Sequence, residues 1–321
     1  MTLISPYVGL VDGRWYKGSL HVHSNVSDVA EAGLRPREQV LADYRNCGHD
    51  FVMFAEQNRY TTQAQIDADR LNDHGLLVIP GAELDDRCFV SSGQHLSHVN
   101  PSESCHVTEK CGLSDILRHV AADEQAFVVL LHPDYPGFDR SATWTGLTAL
   151  EVVSGFYLRR PGHEWSRNPF AFDAWDYLLG QGARVWGIAD DCSFAAGDID
   201  VAWLQVFTTE CSVPAIVEAV RAGRFYASTG VTIDGIDVVG ATVTITARDA
   251  AHIDVVVDGG EPTVVADGQV AMYEVSPDAT YVRFECVGAD DTWGSDYGER
   301  WTEDRVLRRA WTQPMWVAQP S

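Results

Sequence analysis

His21 and His23 lie two positions apart in the segment Gly18-Ser19-Leu20-His21-Val22-His23. In an extended strand, residues two apart project from the same face, so both imidazoles point the same way. Two neighbouring imidazoles suit one divalent metal ion, and Asp28 in the following loop could add a carboxylate oxygen. Two histidines on a surface strand would also explain this short pattern, so the pattern alone does not establish metal binding.

More residues of metal-ligand type follow apolar runs elsewhere in the chain. They are Glu83 after Leu76 to Pro80, His132 after Phe127 to Leu131, Asp190 and Asp191 after Gly187-Ile188-Ala189, and the pair His95 and His98. Each one alone could be a turn carboxylate or a partly buried histidine. Their repeated position after strand-like runs predicts that they meet at one metal site.

The elements that must position these residues follow an α/β pattern up to about residue 230. The strand-like runs are Gly18 to His23, Asp50 to Phe54, Leu76 to Pro80, Phe127 to Leu131, Ala149 to Val153 and Arg184 to Ile188. Helix-like segments between them include Arg37 to Asn46, Ser114 to Asp123 and Phe170 to Leu179. The alternation predicts a parallel sheet or barrel with outer helices. In such barrels the C-terminal strand ends carry the active site.

The sequence changes in character after residue 230. Val243 to Thr246, Ile253 to Val257 and Tyr281 to Val287 are β-rich and are separated by Gly, Pro and Asp. Val213 to Gly223 has helical character and leads into this region. We therefore predict a small antiparallel β domain at the C-terminus.

Composition excludes several classes of function. The chain of 321 residues has 46 acidic and 23 basic residues and a formal charge of -23, so nucleic acid and anionic membranes are not expected as partners. We find no secretory signal or membrane-spanning run, and the seven cysteines contain no CxxC pair. Reduced thiols and a cytoplasmic location are the expectation.

The combined motifs resemble the PHP (polymerase and histidinol phosphatase) family. The resemblance rests on the order HxHS, SD, PGAEL, HL, HP and DD between about Trp15 and Asp191. It continues in Ala222 to Gly230 and Ala310 to Pro314, which resemble the domain boundary and the end of the β domain in two-domain members. It implies an α/β fold: a distorted seven-stranded (β/α) barrel at residues 1–230 and a small antiparallel β-sandwich-like domain at 231–321.

The resemblance also implies a cluster of zinc, manganese or iron ions that hydrolyses phosphoesters. Carried over by position, one metal would bind His21, His23, Glu83 and Asp191. The second would bind Glu83, His132 and either His95 or His98. His95 is favoured because the family histidine usually opens an apolar run, as in His95-Leu96, but His98 fits nearly as well.

Two departures from the family pattern concern a third metal. The family's Thr-Asp-His-Asn is replaced by Ala55-Glu56-Gln57-Asn58, and its Asp-x-His by Asp191-Cys192-Ser193. In the family, the two missing histidines share one metal with the aspartate at the position of Asp28. Glutamine and serine are poor zinc ligands, and Cys192 is expected to point to the opposite face of an extended strand. Two metals are therefore predicted.

Three functions remain open. The favoured one is a phosphoesterase that acts with two metals on a small phosphorylated molecule, and the alternatives are a hydrolase or lyase for another bond and a catalytically inactive binding protein. Arg59, Arg159 and Arg160 are candidates for contacts with an anionic substrate. Asp28, Glu56 and His163 are candidates for catalytic roles, His163 as a general acid if its loop covers the site. Asp190 is a candidate for orienting a histidine ligand.

Overall fold

The computed structural model describes residues 2–28, 33–85, 93–104, 112–134, 137–160, 168–289 and 308–318. These residues form a mixed α/β structure of nineteen strands and six α-helices. The strands are β1 Leu3–Ile4, β2 Arg14–Val22, β3 Phe51–Phe54, β4 Leu77–Ile79, β5 Gly81–Leu84, β6 His95–Val99, β7 Phe127–Leu131, β8 Ala149–Ser154, β9 Trp186–Asp190, β10 Trp203–Thr208, β11 Phe225–Ser228, β12 Ile233–Val239, β13 Thr242–Ala247, β14 Ala250–Val257, β15 Thr263–Asp267, β16 Val270–Glu274, β17 Tyr281–Gly288, β18 Arg309–Thr312 and β19 Met315–Val317. The helices are α1 Arg37–Asn46, α2 Gln63–Ala68, α3 Leu113–Ala121, α4 Gly155–Arg159, α5 Phe172–Gly180 and α6 Val213–Arg221.

Two sheets surround one apolar core in the first part of the chain. The parallel strands β2, β3 and β4 belong to one sheet, and β5 to β9 form the other in sequence order. Leu20 and Met53 from the first sheet and Val129, Leu131 and Ile188 from the second belong to the same buried cluster. Burial of these side chains holds the sheets face to face.

Isolated bridges link the two sheets. Val22 pairs with Ser193 at one junction, and Gln57 pairs with Glu83 at the other. The loops after β2, β3, β5 and β9 therefore meet at one end of the core. This end holds the residues predicted to bind metal.

The expected parallel pairing holds for only part of the second sheet. Strands β7, β8 and β9 are parallel, but β6 is antiparallel to both β5 and β7. Strand β5 begins immediately after Pro80, which follows β4 and has no N–H for a strand ladder. The chain thus changes sheets without an intervening helix.

The predicted β-rich C-terminal region contains all three strands foreseen there. Strands β12, β13 and β16 form one antiparallel sheet, while β14 pairs with β15 and β17. Ile245 from the small sheet and Phe284 from β17 lie in a common apolar core. The seven-strand count, the sandwich form and the boundary after residue 230 stay predictions.

The C-terminal strands also continue the sheet that carries the histidines. β17 pairs with β18, β18 with β11, β11 with β10, and β10 with β2. The buried side chain of Gln313 bonds both the N–H and the carbonyl of Gly187 on β9, each at 2.8 Å. These bonds fix the C-terminal region against the strand that leads into Cys192.

Candidate metal centre

His21 and His23 project together from the end of β2, as their spacing predicted. Their side chains are almost completely buried, and their ring centroids lie 5.1 Å apart. The β2–β3 register shifts between Ser19 and Val22, which turns this strand end relative to the preceding residues. His23 also stacks on Phe194, with ring centroids 4.4 Å apart.

Glu83 lies between two pairs of histidines. Its Oε2 is 3.6 Å from His21 Nε2 and 3.4 Å from His23 Nε2. Its Oε1 is 2.5 Å from His95 Nδ1 and 3.7 Å from His132 Nε2. Each carboxylate oxygen thus faces its own pair of imidazoles, which is the arrangement that a carboxylate bridging two metals requires.

The distances on the Oε2 side match those between ligands of one metal ion. Zinc bonds of about 2.0–2.2 Å to nitrogen and oxygen at tetrahedral angles place two ligand atoms about 3.4 Å apart. Two groups of potential ligands have all their donor atoms within 4.8 Å of one another: His21, His23 and Cys192, and His21, Glu83 and His132. The donor set therefore fits a metal centre.

The pKa values in the cluster are shifted in both directions. Burial raises the pKa of the Glu83 carboxyl, but the imidazoles of His132, His21 and His95 outweigh burial and hold that pKa well below its usual range. Burial lowers the pKa of His23 to about 3 and lowers the pKa of His132 as well. Burial also acts to lower the pKa values of His21 and His95, but Cys192 and Glu151 outweigh it at His21 and Glu83 outweighs it at His95, so both pKa values are raised. Divalent metals bind ionised carboxylates and neutral imidazoles, so Glu83, His23 and His132 are in the ligand state, while His21 and His95 would release a proton when a metal binds.

Strand alternation separates His95 from His98. His95 points toward Glu83 and His132, while Nδ1 of His98 lies 2.8 Å from the Tyr60 hydroxyl on the other face of β6. His98 is 99% buried, and burial lowers its pKa to about 4. The structure thus brings His95 into the cluster and places His98 outside it.

The expected orientation of Cys192 is wrong. Cys192 has a left-handed backbone with φ of 49°, which turns its Sγ toward His21 and His23 instead of the opposite face. The Asp191 carboxylate faces elsewhere. It accepts backbone N–H groups from Asp200, Val201 and Ala202 at 2.8–3.0 Å. The Asp191 carboxylate is therefore bound by residues 200–202. Cys192 lies beside the two histidines, where Asp191 was predicted to lie.

Glu151 is a further site residue that the sequence interpretation missed. Its Oε1 lies 3.4 Å from His21 Nδ1, and its Oε2 accepts the backbone N–H of His132 at 2.6 Å. A carboxylate behind a histidine ligand fixes the orientation and tautomer of the ring. The available signal was an acidic residue within the otherwise apolar run Ala149-Leu150-Glu151-Val152-Val153.

The residues at the positions of the third metal differ in burial and in their partners. Asp28 has a side chain that is 52% exposed, and one of its oxygens lies 4.0 Å from Arg59 Nη2. The Ser193 hydroxyl accepts a hydrogen bond from the Tyr44 hydroxyl at 2.9 Å, and the Ser193 backbone pairs with Val22. Gln57 follows β3 and pairs through its backbone with Glu83.

Glu56 and Asp190 are both buried but bond to structural groups. Glu56 accepts hydrogen bonds from Ser24 and from Arg37, the latter at 3.3 Å. Asp190 Oδ1 accepts from the Ser19 hydroxyl and the Leu20 N–H at 2.9 and 2.7 Å. Asp190 thus holds the strand that carries His21 and does not bond the ring itself.

The candidate substrate residues differ in their surroundings. Arg59 is 54% exposed and lies next to Asn58, whose N–H bonds the Glu83 carbonyl at 2.7 Å. Arg160 forms two hydrogen bonds to Asp198 and lies over the Phe156 ring. Arg159 ends α4 and is exposed. His163 lies outside the described residues.

No family model matches the chain, and no curated protein matches its sequence. Among solved structures, the chain is similar to a two-domain protein from Bacteroides vulgatus that contains a predicted PHP-like metal-dependent phosphoesterase. The two share 17% identity over 90% of this chain and 94% of the other, with a TM-score of 0.50. The chain has a PHP-like fold. This confirms the predicted resemblance at the level of the fold.

Two further solved structures show lower similarity to the chain. A proposed metal-dependent phosphoesterase from Bifidobacterium adolescentis shares 12% identity, covering 56% of this chain and 88% of its own, at a TM-score of 0.39. An amidohydrolase from Chromobacterium violaceum has the same identity and coverage at 0.37. No described helix of the PHP-like fold is long and apolar enough to cross a membrane.

Proposed function

We propose that this protein is a metal-dependent phosphoesterase that hydrolyses a small phosphorylated molecule at a two-metal site. The observation that carries the proposal is the position of Glu83 between two pairs of histidines. A single carboxylate that serves two donor sets supports a dinuclear centre. The net charge of -23 supports a small substrate over nucleic acid.

The proposed metal ligands divide into two groups that share Glu83. His21 and His23 would hold one divalent ion, and His95 and His132 the other. Nitrogen and oxygen donors accept zinc, manganese and iron alike. When bound, the two ions would supply Lewis-acid stabilisation of phosphoryl oxygens and a nucleophilic water at neutral pH.

The chain's own residues would orient these ligands and receive the substrate. Glu151 orients His21 through its Nδ1, and Phe194 orients His23 by stacking on its ring. Both rings can therefore keep their orientation when a metal binds. Arg59 is the candidate cation for binding the substrate, because the N–H of its neighbour Asn58 is bonded to the Glu83 carbonyl. We propose that Arg59 leaves its contact with Asp28 and binds a substrate oxygen instead.

The partners of Asp28 and Ser193 favour one second candidate function. Asp28 lies at the surface and Ser193 bonds Tyr44, so this arrangement supports loss of one cation that would bind phosphate in related proteins. A hydrolase that cleaves a carboxylic ester or an amide needs only the remaining two-metal clamp. This alternative predicts turnover of esters or amides with little turnover of phosphoesters.

Metal analysis and a substrate panel test the proposal together. We expect two equivalents of metal per chain, and manganese- or zinc-dependent turnover of at least one small phosphoester. His21→Ala should abolish turnover and lower metal content, whereas His98→Ala is the matched control and should preserve both. Turnover of esters or amides alone would favour the second candidate. Bound metal without any turnover would favour a binding protein.

A further inference from the structure

Cys192 reaches the metal centre through an unusual backbone conformation. Its φ of 49° lies in the left-handed region, which non-glycine residues adopt rarely and at an energetic cost. This conformation brings Sγ within 4.8 Å of donor nitrogens of both His21 and His23. The thiol is 96% buried and forms no disulfide.

The residues on both sides of Cys192 hold it in this position. On one side, three backbone N–H groups bind the Asp191 carboxylate. On the other, Ser193 bonds the His21 carbonyl and the His23 N–H through its own backbone, at 3.4 and 3.0 Å. Gly155 packs so closely that a Cβ there would lie 2.9 Å from the Asp191 Cα. The strained turn is thus fixed by its neighbours, which aim the thiol at the histidines.

His21, which faces Cys192, has ring nitrogens without a hydrogen bond of normal geometry among the described residues. Both nitrogens are buried; Nδ1 lies 3.4 Å from Glu151 Oε1, and Nε2 lies 3.6 Å from Glu83 Oε2. Unsatisfied buried nitrogens cost free energy. A metal ion held by His21, His23 and Cys192, whose donor atoms lie within 4.8 Å of one another, would satisfy an inward-facing nitrogen of His21.

We infer that Cys192 is a thiolate ligand of the metal bound by His21 and His23. The inference rests on the proposed metal centre and specifies one half of it. On binding, the thiol releases its proton to solvent and its sulfur coordinates the ion. Because thiolate is a soft ligand, this half should select zinc or cobalt over manganese. The half formed by His95 and His132 has only nitrogen and oxygen donors, so the two halves should differ in metal preference.

Cobalt substitution tests the inference independently of catalysis. Protein stripped of metal and loaded with Co²⁺ should show thiolate-to-cobalt charge-transfer absorption in the near ultraviolet. Cys192→Ser should remove this absorption while the visible bands of bound cobalt persist. Cys47→Ser is the matched control and should keep it, since Cys47 is a partly exposed thiol at the end of α1. Zinc affinity should fall at least about tenfold in Cys192→Ser, with manganese affinity nearly unchanged.

A second readout covers the case in which Cys192→Ser does not fold. X-ray absorption of the wild-type zinc protein should show a sulfur neighbour at about 2.3 Å. Cys192→Asp keeps an anionic ligand and should bind zinc without that sulfur. Cobalt bound without charge-transfer absorption would overturn the role of Cys192 and leave the metal centre intact. Failure of the wild type to bind cobalt or zinc would overturn the proposed function as well.

Discussion

Glu83 Oε1 lies 2.5 Å from Nδ1 of His95, on the side of the carboxylate away from His23. His23 Nε2 lies 3.4 Å from the other oxygen, Oε2. The two oxygens of one side chain therefore serve separate histidine pairs. A substitution that removes one oxygen should affect the two halves of the centre unequally.

Glu83→Gln tests this division directly. The amide retains one oxygen but loses the negative charge, so the variant should bind at most one metal equivalent. Turnover should fall about 100-fold or more, because a two-metal clamp stabilises transition-state charge by several kcal/mol. Metal content by mass spectrometry and kcat/KM are the measurements. Two equivalents retained in a folded Glu83→Gln variant would contradict a bridging role.

His95 and His98 provide a matched pair on one strand. His95→Ala should remove about one metal equivalent, because its ring faces Glu83 Oε1. His98→Ala should leave both equivalents, since that ring contacts Tyr60 on the opposite face. Metal content and circular dichroism of both variants, prepared in parallel, would check this. Equal metal loss in both variants would show that the assignment by strand face is wrong.

The structure explains why sequence left His95 and His98 unresolved. Both histidines are followed by an apolar residue, Leu96 and Val99, so local pattern could not separate them. The decision depends on which face of β6 lies against Glu83, and antiparallel pairing sets that face. The direction of the Cys192 side chain could not be predicted either, because the sequence Asp-Asp-Cys-Ser contains no residue that indicates a left-handed backbone. Residues 200–202, nine to eleven positions after Asp191, bind its carboxylate beside the turn, and the four-residue motif does not report these contacts.

Local elements were more predictable than their pairing. Helix α1 has the predicted bounds, Arg37–Asn46, because its buried positions recur at helical spacing. The β3 and β7 runs were recognisable from continuous apolar residues. The antiparallel insertion of β6 and the pairing of β1 with β19 join segments far apart in sequence, so no local signal reports them.

Arg283 offers a prediction about stability that is independent of the metal centre. Its guanidinium is 97% buried and bonds Asp176 on α5 at 3.0 Å and Glu285 at 2.6 Å. Arg283→Ala would leave both carboxylates without this partner, so the free energy of unfolding should fall by about 3–5 kcal/mol. Arg283→Lys keeps the charge but loses the paired N–H geometry, and it should cost less. Urea titration measures both, and metal content should stay constant. A loss below about 1 kcal/mol in Arg283→Ala would contradict this account.

His49 provides a prediction of pH dependence. It is 96% buried beside Tyr44, and burial, with a smaller contribution from the charge of Lys17, holds its pKa well below the usual value of 6.5. The unfolded chain therefore binds a proton at His49 near pH 6.5, while the folded protein does not. The stability that neutral His49 contributes is fully present above pH 6.5 and is lost as the pH falls below it.

His49→Phe should remove this dependence, because phenylalanine fills the site without titrating. Between about pH 6.5 and 5, the wild type should lose up to about 1.4 kcal/mol per pH unit more than the variant. Urea titrations of both proteins at several pH values measure this difference. His119→Gln removes an exposed histidine on α3 and should follow the wild-type curve. Parallel curves for wild type and His49→Phe would mean that His49 is protonated in the folded protein, against the burial seen here.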